Sequence, residues 1–303
     1  MEGEADRRRR MVETAKRVRQ VRADAEPRAA QFRVVITGKG GVGKTSVTAI
    51  LARLLAHRYS VLALDADPQM NLPYALGLPI EQARALVPLS RNADYVEEKT
   101  GARPGSGWGL FFRLNPDVSD VVERFGVVGP DNVRLLVMGT LTQPAVGCLC
   151  PENSLLAAVV DAINLRPDEV ILMDTQAGVE HFGRALAKGF HHAIVLADPS
   201  FNALQVAHST ARLAAGLGIP AVHLVVNRVR QPEEFDRAVA RLDAEGTFTF
   251  ASRHALPYDD RVLLSEPAVS PLFENRDTPF MKGMEALRDA LVRSEEEVAK
   301  CVS

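Results

Sequence analysis

The chain has 303 residues, a formal net charge of -2, an apolar fraction of 47% and a charged fraction of 24%. This balance is ordinary for a soluble globular protein and excludes a chain drawn as a whole to nucleic acid or to an anionic membrane. No apolar run nears the roughly 20 residues of a membrane-spanning helix, and the charged N-terminus lacks the apolar stretch of a secretory signal, so a cytoplasmic protein is expected.

Residues 1–30 hold nine basic and six acidic residues and almost no large apolar side chains. They read as a mobile basic extension, or alternatively as an arm that touches nucleic acid or a partner through Arg7–Arg10. From residue 31 to 303 the pattern predicts a single domain. "FRVVITG" (32–38) is an apolar, β-rich run ending in glycine, and "GKTSVTAILARLLAHR" (43–58) has helical periodicity. "SVLALDAD" (60–67) is a second buried strand with carboxylates at its C-terminal end. Residues 79–131, rich in proline and glycine around Trp108, break the rhythm and are read as an insertion on the rim. Further strands are predicted at 132–139, 169–178, 192–200 and 221–229, with helices at 153–165, 201–217 and 233–243. Near-continuous apolar strands alternating with helices predict an α/β fold with a mostly parallel sheet covered on both faces. Ligands then belong at the strand C-termini, where the polar residues gather. His191 and His192, just before a core strand, are read as loop residues.

"GKGGVGKT" (38–45) matches G-x-x-x-x-G-K-[ST] between a strand and a helix. Glycines let backbone N–H groups face phosphates, and the helix N-terminus adds positive potential. Gly38, Lys39, Gly40, Gly41, Val42, Gly43, Lys44, Thr45 and Ser46 are therefore candidate nucleotide-binding residues. Lys44 would reach the β- and γ-phosphates, and the Thr45 hydroxyl would ligate Mg²⁺. The spacing thus predicts a P-loop NTPase fold that takes ATP or ADP with Mg²⁺.

Lys39, directly after the first glycine, is not needed by an ordinary phosphate loop. "KGGVGKT" resembles the deviant phosphate loop of the ParA–MinD–nitrogenase-iron-protein group. The resemblance implies that Lys39 crosses a homodimer interface to the nucleotide of the other subunit. "LDADPQMNL" (64–72) resembles the group's first switch, which implies that Asp67 orients or activates water and that Asp65 lies in the outer shell of Mg²⁺. "VILMDTQAG" (170–178) resembles the second switch, with Asp174 holding Mg²⁺ through water and Gly178 sensing the γ-phosphate. Asn227 matches the residue that reads adenine in the group, and "ALPYDD" (255–260), with Pro257, matches the loop that covers the base.

Three cysteines are present, two of them one residue apart in "VGCLCPENSLL" (146–156); Cys301 is read as incidental. In a cytoplasmic chain, a close pair points to metal or redox chemistry rather than to a structural disulfide. In extended backbone Cys148 and Cys150 point to the same side and can converge on one ion. C-x-C-P-E-N, then "DTQAGVEHFGRAL" and "VLADPSFNAL", resemble the CooC family over residues 32–295. These are ATPases that assist nickel insertion into carbon monoxide dehydrogenase. The resemblance implies a Ni²⁺ or Zn²⁺ site made by Cys148 and Cys150 of two subunits, and a carbon monoxide dehydrogenase or related nickel enzyme as client. Four thiolates suit Zn²⁺ in a tetrahedral arrangement and Ni²⁺ in a square-planar one. Gln176 departs from the family, where a Glu is expected, and the basic extension is also unexpected. Glu180 and His181 are read as a helix start and a switch contact. Two other functions fit parts of the pattern: a ParA- or MinD-like positioning ATPase using Arg7–Arg10, and an ATPase using the cysteines as a thiol switch. The acidic tip of the C-terminal stretch argues against a membrane anchor.

Overall fold

Each long apolar run becomes a strand because it has a hydrophobic layer on both sides. The structure, a computed structural model, describes residues 32–103, 117–139, 155–156, 158–160, 168–176, 189–246 and 248–302. Residues 1–30, Trp108, Cys148, Cys150, Gly178, Glu180 and His181 lie outside the described residues.

Eight strands form one sheet: β1 (Phe32–Gly38), β2 (Ser60–Ala66), β3 (Val127–Val128), β4 (Arg134–Val137), β5 (Glu169–Thr175), β6 (His192–Ala197), β7 (Ala221–Val229) and β8 (Ser252–Pro257), in the spatial order 3-4-2-5-1-6-7-8. All pairings are parallel except the short β3–β4 edge. Every residue of β1 is buried, as is every residue of β6. Among the described residues, the helices of eight or more residues are α1 (Lys44–Ala56), α2 (Ala93–Thr100), α3 (Phe201–Gly216), α4 (Pro232–Ala244) and α5 (Pro279–Val302). From β1 the chain crosses in one direction to β2; from β6 it crosses in the other direction to β7 and β8. Right-handed crossovers running in opposite directions place their helices on opposite faces. Hence α1 covers one face and α3 and α4 the other, while α5 returns to pack on α1 and β8. The crossovers diverge between the adjacent strands β1 and β6, so a crevice opens at their C-terminal ends. Among the described residues, no helix is long and apolar enough to cross a membrane.

The predicted strands and the helices predicted at 43–58, 201–217 and 233–243 are present with shifted ends, the helix predicted at 153–165 lies largely outside the described residues, and two features differ from expectation. Residues 255–257, expected in a loop, finish β8. His192, expected in a loop, opens β6 and is fully buried. The reason is a chain of side-chain hydrogen bonds across the sheet. Glu295 on α5 meets His192 Nε2 at 2.8 Å, His192 Nδ1 meets His223 Nε2 at 3.1 Å, His223 Nδ1 meets the Ser252 hydroxyl at 2.7 Å, and that hydroxyl meets His254 Nε2 at 2.8 Å. With neutral rings and an ionised Glu295, one arrangement satisfies every contact: each ring donates from Nε2 and accepts at Nδ1.

This chain makes stability depend on pH. Burial, with the neighbouring His192 and His254 adding to it, pushes His223 down to about 3 from 6.5. His254 is also lowered, by burial and by Arg293. Burial raises Glu295, but hydrogen bonds from His191 and His192 outweigh it and hold the carboxyl below its usual range. For depressed groups the unfolded chain binds protons that the folded chain does not, so stability is full above the ordinary histidine value and is lost as pH falls. Lowering the pH from 7.5 to 5 is expected to remove about 2 kcal/mol through His223 alone. Denaturant unfolding at the two pH values, compared with His223→Gln, measures it. An equal loss in the variant would refute the assignment.

Candidate functional site

The site is built at the end of β1. Gly38 has φ 146°, and a Cβ there would lie 2.2 Å from the Leu196 carbonyl oxygen of β6. The two strands approach too closely for any side chain. The loop then turns into α1 through Gly43, at φ 96°. A Cβ on Gly43 would stand 2.7 Å from Asn227 Nδ2, so the loop's last glycine is required by both its backbone and its neighbour. The first turn of α1 has no side-chain cap and no acidic residue. Its N–H groups and its dipole are therefore open to an anion.

Lys44 is buried, 7% exposed, and its Nζ donates to the Lys39 carbonyl at 3.2 Å. Burial lowers its pKa, opposed by the carboxylates of Asp174 and Asp67. The Lys39 ammonium has no partner among the described residues. Val42 is fully buried, whereas Gly40 and Gly41 are exposed.

Two carboxylates descend from adjacent central strands. Asp65 of β2 and Asp174 of β5 are register partners. Asp174 accepts a hydrogen bond from the Thr48 hydroxyl at 3.5 Å. Its Oδ2 is buried without a hydrogen-bond partner. Burial pushes Asp174 up to about 7, against the pull of Thr45 and Lys44. Asp65 is pushed up to about 8, by burial first and then by Asp174. Both its oxygens accept backbone N–H groups, from Asp67 at 3.0 Å and from Leu72 at 3.1 Å. Asp65 thus ties down the segment that carries Asp67. Asp67 lines the cavity and accepts the Gln69 N–H at 2.9 Å.

A buried carboxylate oxygen with no partner costs about 1–3 kcal/mol, and Asp174 Oδ2 beside the Thr45 hydroxyl is a hard oxygen donor set that fits Mg²⁺. Among the described residues, no group of three or more His, Cys, Asp or Glu side chains is arranged to hold a metal, and the Cys148–Cys150 pair lies outside them.

The glycines, Lys44, Thr45, Ser46 and Asp67 line a cavity of about 600 Å³, a size that suits a nucleotide. Its remaining walls are not those expected. Asn227 and Pro257 are absent from the lining; Tyr74, Gln176, Arg228, Glu266 and Pro267 stand there instead. Asn227 faces the phosphate loop, with Nδ2 donating to the Val42 carbonyl at 2.8 Å and Oδ1 accepting the Arg228 N–H at 2.9 Å. Sequence reasoning missed Arg228, Glu266 and Pro267, although Arg228 directly follows a residue that it singled out.

The description of the CobQ/CobB/MinD/ParA nucleotide-binding domain matches residues 33–266. The chain belongs to this CobQ/CobB/MinD/ParA family. An uncharacterized ATP-binding protein of Methanocaldococcus jannaschii is 34% identical over 264 residues, covering 86% of this chain and 98% of that protein. The carbon monoxide dehydrogenase accessory protein CooC of Rhodospirillum rubrum is also 34% identical, over 238 residues, covering 78% of this chain and 88% of CooC. The fold matches the cell division ATPase MinD of Pyrococcus furiosus with a TM-score of 0.59 at 20% identity, covering 87% of this chain and 99% of that one. The protein is thus a nucleotide-binding member of the CobQ/CobB/MinD/ParA family with a P-loop NTPase fold.

Proposed function

We propose that the chain is a nucleotide-switched metallochaperone that assists nickel insertion into a client such as carbon monoxide dehydrogenase. One observation carries the reading: 34% identity to CooC over 238 residues, which cover 78% of this chain and 88% of that protein. In this reading residues 31–303 are the ATPase domain, residues 1–30 an extension, and the protein works in the cytoplasm as a homodimer. Lys44 and the N–H groups of residues 40–46 hold the phosphates. Lys39, whose ammonium is unpartnered, reaches the nucleotide of the second copy. Asp67 orients the attacking water, and Asp65 keeps Asp67 in place from the outer shell. Thr45 and Asp174 would hold Mg²⁺, which supplies charge neutralisation at the phosphates. Hydrolysis is slow without the client, as suits a switch. Nickel, or zinc in its place, is cargo on Cys148 and Cys150 of both copies. If nucleotide draws the copies together it changes the distance between the cysteine pairs, and the coupling acts reciprocally on metal and nucleotide affinity.

The test is metal stoichiometry read together with mass. Reduced protein with ADP and limiting Ni²⁺ or Zn²⁺ is expected to elute as a dimer carrying one metal, by light scattering and elemental analysis. Cys148→Ala/Cys150→Ala is expected to lose the metal. Binding that ignores the two cysteines would end the metallochaperone reading and favour a positioning ATPase.

A further inference from the structure

We propose that the groove between the C-terminal end of α1 and α5 is the docking site of residues 24–31, the stretch directly before β1, with Asp24 and Glu26 set against Arg58, Arg288 and Arg293.

The groove encloses about 390 Å³. Its floor is apolar, from the buried Leu54, Leu55 and Val292, and its rim carries the three arginines. It lies at the far end of α1 from the phosphate loop, thirteen residues away, or about 20 Å along the helix. Its charges do not balance. Asp289 is taken by the adjacent Arg288, at 2.8 Å. Glu296 stands 3.6 Å from Arg58, and both side chains are more than half exposed, so this ion pair is weak. Arg293 has no hydrogen-bond or ion-pair partner among the described residues. Three guanidiniums thus stand against two carboxylates, over an apolar floor. An acidic segment of chain is the chemistry that this surface fits.

The position of Phe32, the first described residue, says which segment. Its ring meets that of Tyr59, which lines the groove, edge to face at 5.5 Å. It also meets the ring of His192 at 5.6 Å, and His192 is held by Glu295, next to Glu296 of the groove. The chain therefore enters β1 one ring away from the groove. The residues before it read DAEPRAAQ, with Glu26 six positions and Asp24 eight positions from Phe32. Six residues of extended chain span about 20 Å, enough to reach the rim. Pro27 disfavours a helix at Glu26, and in extended chain positions 24 and 26 share a side. Charge selects the same stretch. Residues 24–31 hold two acidic residues and one basic, whereas residues 1–23 hold four acidic and eight basic.

Hydrogen exchange of the full chain, read by mass spectrometry, tests the docking. The amides of residues 24–31 are expected to exchange about tenfold more slowly than those of an unprotected chain. Asp24→Lys/Glu26→Lys is expected to abolish the protection, and so is Arg58→Glu/Arg293→Glu. Arg58 and Arg293 are exposed, so the fold should hold, and exchange of the sheet amides checks it in the same run. All four substitutions together reverse both surfaces and are expected to restore the protection. Unprotected amides at 24–31 in the wild type would overturn the proposal. So would protection that survives either reversal, or that fails to return in the combined variant. Protection of residues 55–59 that grows with protein concentration, while 24–31 stay unprotected, would give the groove to a second copy and overturn it as well.

Discussion

Lys44→Ala is expected to lower ATP turnover by about 10³-fold and to weaken ADP markedly, because it removes the one ammonium buried at the foot of the phosphate loop. The side chain is 7% exposed, yet no carboxylate lies within ion-pair distance of it among the described residues; its named hydrogen bond is to the Lys39 carbonyl. A cation so placed has lost most of its water without gaining a direct counter-ion. That is why burial is the first cause shifting its pKa downward. A phosphate chain in the cavity would supply the missing counter-charge, and an apolar side chain there would leave it unanswered. Single-turnover hydrolysis and ADP titration of Lys44→Ala, with Lys44→Arg beside it to keep the charge, provide the check. Turnover within tenfold of the wild type would remove Lys44 from the machinery.

The second large effect concerns protons. Burial, with Asp67 adding to it, pushes Asp174 up to about 7, and burial, with Asp174 adding to it, pushes Asp65 up to about 8. Two carboxyls this close titrate as a pair. For groups whose folded pKa is raised, the folded chain holds protons that the unfolded chain has lost. The stabilising contribution is therefore full below the ordinary carboxylate value and disappears as pH rises through about 7 to 8. Metal-free protein should accordingly lose stability toward alkaline pH. Binding of Mg²⁺ with nucleotide at pH 7 should release protons, because a coordinating carboxylate must be ionised. Calorimetry in buffers of different ionisation enthalpy reads that release directly. Asp174→Asn is expected to lose most of it, together with about 10²–10³-fold of the Mg²⁺-dependent turnover. Heats that do not vary with buffer would refute the assignment of Asp174.

The phosphate loop was legible because its chemistry is local: eight consecutive residues carry the turn, the donors and the lysine. The alternation of helices and strands was legible because central parallel strands are apolar throughout, as β1 and β6 show. β8 was not, because "SRHALP" is only half-buried and has no apolar run. Asp65 was assigned from the resemblance of its segment to a first switch, but its partners are backbone N–H groups seven residues or fewer ahead, and their folding back was not written in the spacing. Asn227 was singled out at a strand end, but its side chain is bonded to the Val42 carbonyl, and it is Arg228 beside it that lines the cavity. Which of the two faces the cavity depends on a bulge against β8, a partner whose register is set only in the folded sheet. Buried His192 was misplaced for the same kind of reason: its partners, His223 on β7 and Glu295 on α5, are far from it in sequence.

Asp65 and Asp174 project from directly paired positions on parallel strands. Their spacing is therefore a lattice constant of the sheet, close to the ~4.8 Å between neighbouring strands, and not the outcome of a loop settling into place. Both strands are interior, flanked by β4 on one side and β1 on the other. Loops at the strand ends can open without changing that distance. The acidic end of the site thus behaves as a fixed anvil, and whatever switches during a nucleotide cycle must be found in the segments that strike against it.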